Sequence, residues 1–153
     1  MNRRLMLHTA FALSMFLTSM SAADNPAIGT WKQNLSKSKY TPGPAPNHPS
    51  TLTITENNIN VQRMGEDGNL TSYSYKTTYD GKPQKVTGSP YGDTVTTKRV
   101  DSHTTEINYM RNGKTSRTSR RTVSKDGKTM TIIAKGTDEK GQQYSNVSVS
   151  EKQ

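Results

Sequence analysis

The segment Thr104-Thr105-Glu106-Ile107-Asn108-Tyr109-Met110-Arg111-Asn112-Gly113-Lys114 decides the fold class. Two strand-like runs, Thr104–Arg111 and Lys114–Val123, meet at Asn112-Gly113, and both turn residues tolerate the positive φ that a two-residue hairpin turn demands. A strand with one face in water and the other in a core carries its apolar residues at every second position. That spacing recurs along the chain. Leu52 and Ile54 alternate with Thr51, Thr53 and Thr55, Ile59 and Val61 with Asn60 and Gln62, and Tyr73, Tyr75, Thr77 and Tyr79 with Ser72, Ser74, Lys76 and Thr78. With further runs at 28–33, 94–100, 128–134 and 143–150 and a short piece at 85–87, about nine or ten strands are expected.

The joints carry turn chemistry. Asp67-Gly68, Asp80-Gly81 and Asp126-Gly127 sit between runs, and Ser89-Pro90-Tyr91-Gly92-Asp93 and Asp138-Glu139-Lys140-Gly141 supply two more turns. Consecutive strands with short joints pair antiparallel, and a long meander hides its edges most simply by closing on itself. The expected fold is all-β, an antiparallel up-and-down meander closed into a barrel of about 8–10 strands. Residues 35–50 break the rhythm, because Pro42, Pro44, Pro46 and Pro49 give a ladder no donors. They read as an extended connection over the surface or a barrel mouth, a spacer first and a functional lid second.

Arg3 and Arg4 followed by an uncharged apolar run over 5–20, with Ser21, Ala22 and Ala23 after it, form the pattern of a secretory signal. Residues 1–23 are read as that signal and 24–153 as one domain, so the protein is expected to be exported, to the periplasm or outside the cell. The chain has no cysteine, which leaves stability to pairing and packing. Leu, Ile, Val and Phe are sparse enough to raise disorder as an alternative, and the strand periodicity argues against it. The net charge is +9, of which Arg3 and Arg4 account for two, leaving +7 for the mature chain. Such a charge favours anionic envelope surfaces. Nucleic acid is not expected, since no recognition helix or aromatic-basic RNA motif is present. A monomer without a transmembrane segment in its mature part is the expected state.

With Gly29-Thr30-Trp31 opening the first strand, the chain resembles the lipocalin and calycin superfamily, and more closely small exported bacterial lipocalin-like proteins. Those bacterial proteins are similar also in Lys32, in the stretch 36–46 and in Val123-Ser124-Lys125-Asp126-Gly127-Lys128-Thr129. The resemblance implies Gly29, Trp31 and Arg121 as a structural signature at the closed end of a barrel, with Arg121 stacked on Trp31 as a cation–π pair. It also implies a ligand in the barrel. A Thr-Asp-Tyr loop motif of the family is not present, although Thr78-Tyr79-Asp80 is superficially similar.

Between Arg111 and Lys128 stand seven basic residues, Arg111, Lys114, Arg117, Arg120, Arg121, Lys125 and Lys128, against the single acid Asp126. A strict two-residue turn pairs Arg111 with Lys114 and Glu106 with Ser119. Arg117 and Arg121 then lie beside Glu106, and Arg120 shares the face of Ile107 and Tyr109. Val123 falls on the wrong face in that register unless a bulge intervenes, which leaves both facings open. One reading has Arg120 with Tyr73, Tyr75, Tyr109 and Tyr144 binding the anionic head of a small amphiphilic or aromatic ligand, because a guanidinium donates two parallel bonds to a carboxylate. The plainer reading is a solvated basic strand pair. The main functional rival is a non-enzymatic envelope interaction or inhibitor module using loops and the basic hairpin. No catalytic residue, metal ligand or cofactor is assigned. His48 and His103 have no ligand spacing, His103 beside Asp101 reads as a turn residue, and Glu66, Asp67, Asp138 and Glu139 sit in turn sequences.

Overall fold

The computed structural model describes residues 25–138 and 140–153, so the signal at 1–23, with Asp24, and the turn acid Glu139 lie outside the described residues. Ten strands follow one another: β1 (Gly29–Thr41), β2 (Thr51–Ile54), β3 (Asn58–Met64), β4 (Leu70–Lys76), β5 (Asp80–Lys85), β6 (Thr94–Arg99), β7 (Thr104–Arg111), β8 (Lys114–Val123), β9 (Thr129–Thr137) and β10 (Gln143–Lys152). They form one antiparallel sheet in the order β4-β3-β2-β1-β10-β9-β8-β7-β6-β5, an up-and-down barrel that is nearly closed. No described residue is helical, and among the described residues no helix is long and apolar enough to cross a membrane.

The first and last strands pair with each other, Trp31 opposite Lys152 and Lys32 opposite Glu151. The open seam therefore falls in mid-chain, between β4 and β5, where the bridge Ser74–Thr87 crosses it. The local sequence explains the position. Tyr79 (φ 55°) and Gly81 (φ 80°) turn the backbone left-handed, and β5 slips register between Asp80 and Pro83. Proline supplies no N–H, so a strand containing it is suited to an edge.

Two boundaries differ from the sequence reading. β1 continues to Thr41 after an irregularity between Asn34 and Lys39, so residues 35–41 belong to the strand, with Lys39, Tyr40 and Thr41 again paired to β10, and are not a connection. Of the piece expected at 85–87, Lys85 ends β5 and Thr87 makes the isolated bridge to Ser74.

Inward residues stack in rows. Trp31, Ile54, Ile59, Val95 and Met130 are almost wholly buried and fill one end of the barrel, with Thr77 and Thr97 hydroxyls hydrogen-bonded beside them. Full burial of an Ile, Val or Met side chain contributes about 1.5–3 kcal/mol relative to exposure, so these rows hold the base shut. In the central hairpin, Asn112 (φ 50°) and Gly113 (φ 74°) make the expected turn, with Arg111 opposite Lys114 and Met110 opposite Thr115. The next pair is Tyr109 with Arg117, so Ser116 is left over as a bulge. That single extra residue reverses every facing beyond it. Arg117, Ser119, Arg121 and Val123 join the inward rows, and Arg120 turns outward opposite Glu106.

Candidate functional site

Above the base, the inward positions of the strands are occupied by polar and aromatic groups, and the barrel opens into a cavity of about 410 Å³. Leu52, Val61 and Ile132 form its apolar wall, and Gln33, Ser148 and Ser150 its polar one. Pro44, Ala45, Pro46 and His48 line it from the proline-rich segment. Gln33 ties that segment down: its Oε1 accepts from Ser50 N (3.1 Å) and Ser50 Oγ (2.9 Å), and its Nε2 donates to Tyr40 Oη.

Two guanidinium groups face this space. Arg63 ends the inward series of β3, after Ile59 and Val61, and Arg117 follows the Ser116 bulge of β8. Both lie over one ring, Tyr91, with Cζ to centroid distances of 5.2 Å for Arg63 and 3.9 Å for Arg117. Arg117 Nε also donates to Ser119 Oγ at 3.1 Å. Among the described residues, neither arginine has a carboxylate within ion-pair distance, and the one acid in the lining, Glu66, is exposed.

Tyr91 comes from the β5–β6 loop rather than from a strand. Its ring meets Tyr73 edge-on at 6.3 Å and Tyr109 at 5.4 Å. The loop backbone is fastened on both sides: Ser116 Oγ donates to Tyr91 O, Arg111 Nη2 donates to Pro90 O at 2.6 Å, and Asp93 N donates to Met110 O at 3.0 Å. Gly92 (φ 154°) passes so close to β7 that a Cβ there would lie 2.1 Å from Met110 O.

The electrostatics single out this ring. Burial pushes Tyr73 up to about 12 and raises Tyr75, Tyr109 and Tyr144 as well. Burial also acts to raise Tyr91, but Arg117 and Arg63 overcome it and hold this phenol below its ordinary value. Burial opposes the charge of Arg63 and Arg117, and the surrounding tyrosines outweigh that and hold both above the usual guanidinium value. The site is thus a cationic pair faced with π systems and hydroxyls, a lining suited to an anion with an apolar body.

The residues grouped from the sequence are partly brought together. Tyr73 lines the cavity, Tyr109 stands behind Tyr91, and Tyr75 lies deeper, edge-on to Tyr109 at 5.9 Å. Tyr144 lies at the other side of Arg117, packed across Gly136, where a Cβ would sit 2.6 Å from its Oη. Its buried hydroxyl has no hydrogen-bond partner among the described residues. Arg120 is corrected: the bulge turns it outward, into an exposed ion pair with Glu106 at 3.3 Å, and Arg117 takes the inward place. The basic hairpin is correspondingly divided between interior and surface.

At the base, Trp31 is fully buried and its Nε1 donates to Ala27 O at 2.8 Å. The cation over its ring is Lys152, Nζ at 5.3 Å, in place of the expected Arg121. Lys152 is the direct cross-strand partner of Trp31, whereas β10 and β9 separate Arg121 from β1. Arg121 is fully buried and donates to Thr105 Oγ1 at 3.4 Å. Gly29 (φ 135°) makes room for the same lysine, since a Cβ there would lie 2.7 Å from Lys152 Cε. His103 is a turn residue, its backbone N donating to Asp101 Oδ1 at 2.8 Å.

Sequence reasoning missed Arg63 and Tyr91. Arg63 continues the period-two series of Ile59 and Val61 by one more step, a usable signal. Tyr91 lies in a five-residue turn without periodicity, and nothing local directs its ring inward. Compared with family models, curated proteins and solved structures, the chain matches none of them.

Proposed function

We propose that this protein is an exported, lipocalin-like, non-enzymatic binding protein that holds a small amphiphilic or aromatic ligand in the mouth of its barrel, the ligand's anionic end on Arg63 and Arg117. The observation that carries the reading is the pair of guanidinium groups facing one cavity of about 410 Å³ with no carboxylate paired to them among the described residues. Burial of unpaired cations opposes folding, so a site that keeps them has a use for an anion. The volume lies within the range of small-molecule sites, and an apolar wall with a few convergent polar groups is their usual lining. The likeness to lipocalins draws support from the up-and-down barrel and from Trp31, buried at the base just after Gly29.

Native mass spectrometry of the protein purified from its exported fraction, followed by denaturing extraction, tests the reading. A stoichiometric amphiphilic or aromatic acid is expected with the wild type and lost from the Arg63→Gln/Arg117→Gln double variant. Retention of the same molecule by a folded double variant would place the binding elsewhere.

A further inference from the structure

The cavity is already occupied in part by the protein itself. Among the described residues, Tyr91 is the only ring that lies over both guanidinium groups, at 5.2 Å and 3.9 Å, yet it belongs to a loop and not to the barrel wall. It also lines a second cleft of about 300 Å³, with Pro90, Ser116 and Tyr144. Tyr91 therefore stands between the cavity and the second cleft. Its backbone is fastened through Pro90 O, Tyr91 O and the tight passage of Gly92, which leaves side-chain torsion as the way the ring can move.

A phenol offers the two arginines a π face and a dipole, while a carboxylate offers a full charge and bidentate acceptors. The exchange favours an incoming acid. The space favours a compact one: below the cavity the interior is closed by Trp31, Ile54, Ile59 and Met130, so a long acyl chain finds no room toward the base. Tyr73 and Tyr109, which now pack on the Tyr91 ring, would receive another ring in the same geometry.

We infer that the ligand is a compact aromatic carboxylate, and that it binds by taking the place of the Tyr91 ring against Arg63 and Arg117. Tyr91 is then a built-in competitor that sets both the affinity and the preference for planar acids. This inference rests on the carrier reading above.

Isothermal titration of 4-hydroxyphenylacetate, decanoate and neutral 4-methylphenol into wild type and Tyr91→Ala gives opposite signs for the two roles of Tyr91. An occupant that is removed frees its place, so 4-hydroxyphenylacetate is expected to bind the variant about tenfold tighter than the wild type, with decanoate weaker for both. In parallel, wild-type protein with labelled tyrosines is followed by NMR. Contacts of the Tyr91 ring with Tyr73 and Tyr109 are expected to disappear at saturation, and this readout stands alone if Tyr91→Ala does not fold. Equal or weaker binding by a folded Tyr91→Ala, or ring contacts that persist at saturation, would overturn the inference. A preference for decanoate, lost in Arg63→Gln, would overturn it and leave the carrier reading standing. Binding of none of the three probes to either protein would remove both.

Discussion

Arg117 stands where burial works against its charge, close to a second cation, Arg63, and its compensation comes from tyrosines in place of a carboxylate. Replacing even a buried ion pair by apolar groups of similar volume is often neutral or stabilising by about 1–4 kcal/mol, and a buried cation without a carboxylate carries the desolvation cost without that partner's attraction. Arg117→Met is therefore expected to unfold at higher urea concentration than wild type, by about 1 kcal/mol, while losing affinity for anions. A clear loss of stability would make Arg117 a structural residue. Gly92 is a second position where a single group decides. Its φ of 154° and the 2.1 Å approach of a notional Cβ to Met110 O leave no place for a side chain. Gly92→Ala is expected to cost on the order of 2 kcal/mol in thermal or urea unfolding, the usual size of an overpacking penalty. An unchanged midpoint would mean that the Tyr91 loop lifts off β7 without loss.

The hairpin of β7 and β8 shows what an element owes to its turn and what it owes to a bulge. Its ends, Thr104–Arg111 and Lys114–Val123, were legible because Asn112-Gly113 is a local signal. The facing of its arginines was not, because the Ser116 bulge is fixed by what the register buries: with it, Val123 and Ile107 share the core with Arg117 and Arg121. Only Val123, out of phase with a flush register, hinted at it. Deleting Ser116 removes the extra residue and sets Met110–Thr115 and Tyr109–Arg117 in one flush register, so Arg117 and Val123 keep their inward facing while the Ser116 Oγ bond to Tyr91 O is lost. Such a variant is expected to fold with the same facings and to lose about 1 kcal/mol, the usual worth of one hydrogen bond, as read by circular dichroism on heating; failure to fold would show that the bulge itself is required. The same contrast holds for the candidate site. Arg63 extends a visible alternation, whereas Tyr91 is placed by tertiary packing of a loop. The tight turns share another property: Thr78 Oγ1, Lys82 N and the Lys82 side chain hold the Asp80 carboxyl at about 2, against its ordinary 3.8. Asp67, Asp101 and Asp126 are lowered too, Asp67 and Asp101 chiefly by backbone N–H bonds and Asp126 by the Ser124 hydroxyl. A folded-state pKa below the unfolded one adds stability that is complete above the unfolded value and is lost as pH falls through the folded one. Stability is thus expected to decline from near pH 4 toward pH 2, and Asp80→Asn to decline less steeply in urea titrations across that window. A parallel decline in the variant would assign the acid sensitivity to other groups.

Taken together, the ten strands share hydrogen bonds along nine ladders, and the remaining interface, β4 against β5, has the bridge Ser74–Thr87. Closure was legible in the sequence as the fate of a long meander; the position of the seam was not, because it depends on the slip around Asp80 and Pro83. Opening free energies differ across a structure according to how well each backbone group is paired. Native-state hydrogen exchange is therefore expected to be fastest in β4 and β5 and slowest in β8, β9 and β10, each paired on both sides. Uniform protection around the barrel would show that side-chain packing alone seals the seam. A cylinder whose circumference is not locked by a continuous ladder behaves as a split ring. Its bore is set by the fit of what lies inside, and it can widen along one line, between strands adjacent in the chain, while the packed floor around Trp31 keeps its shape.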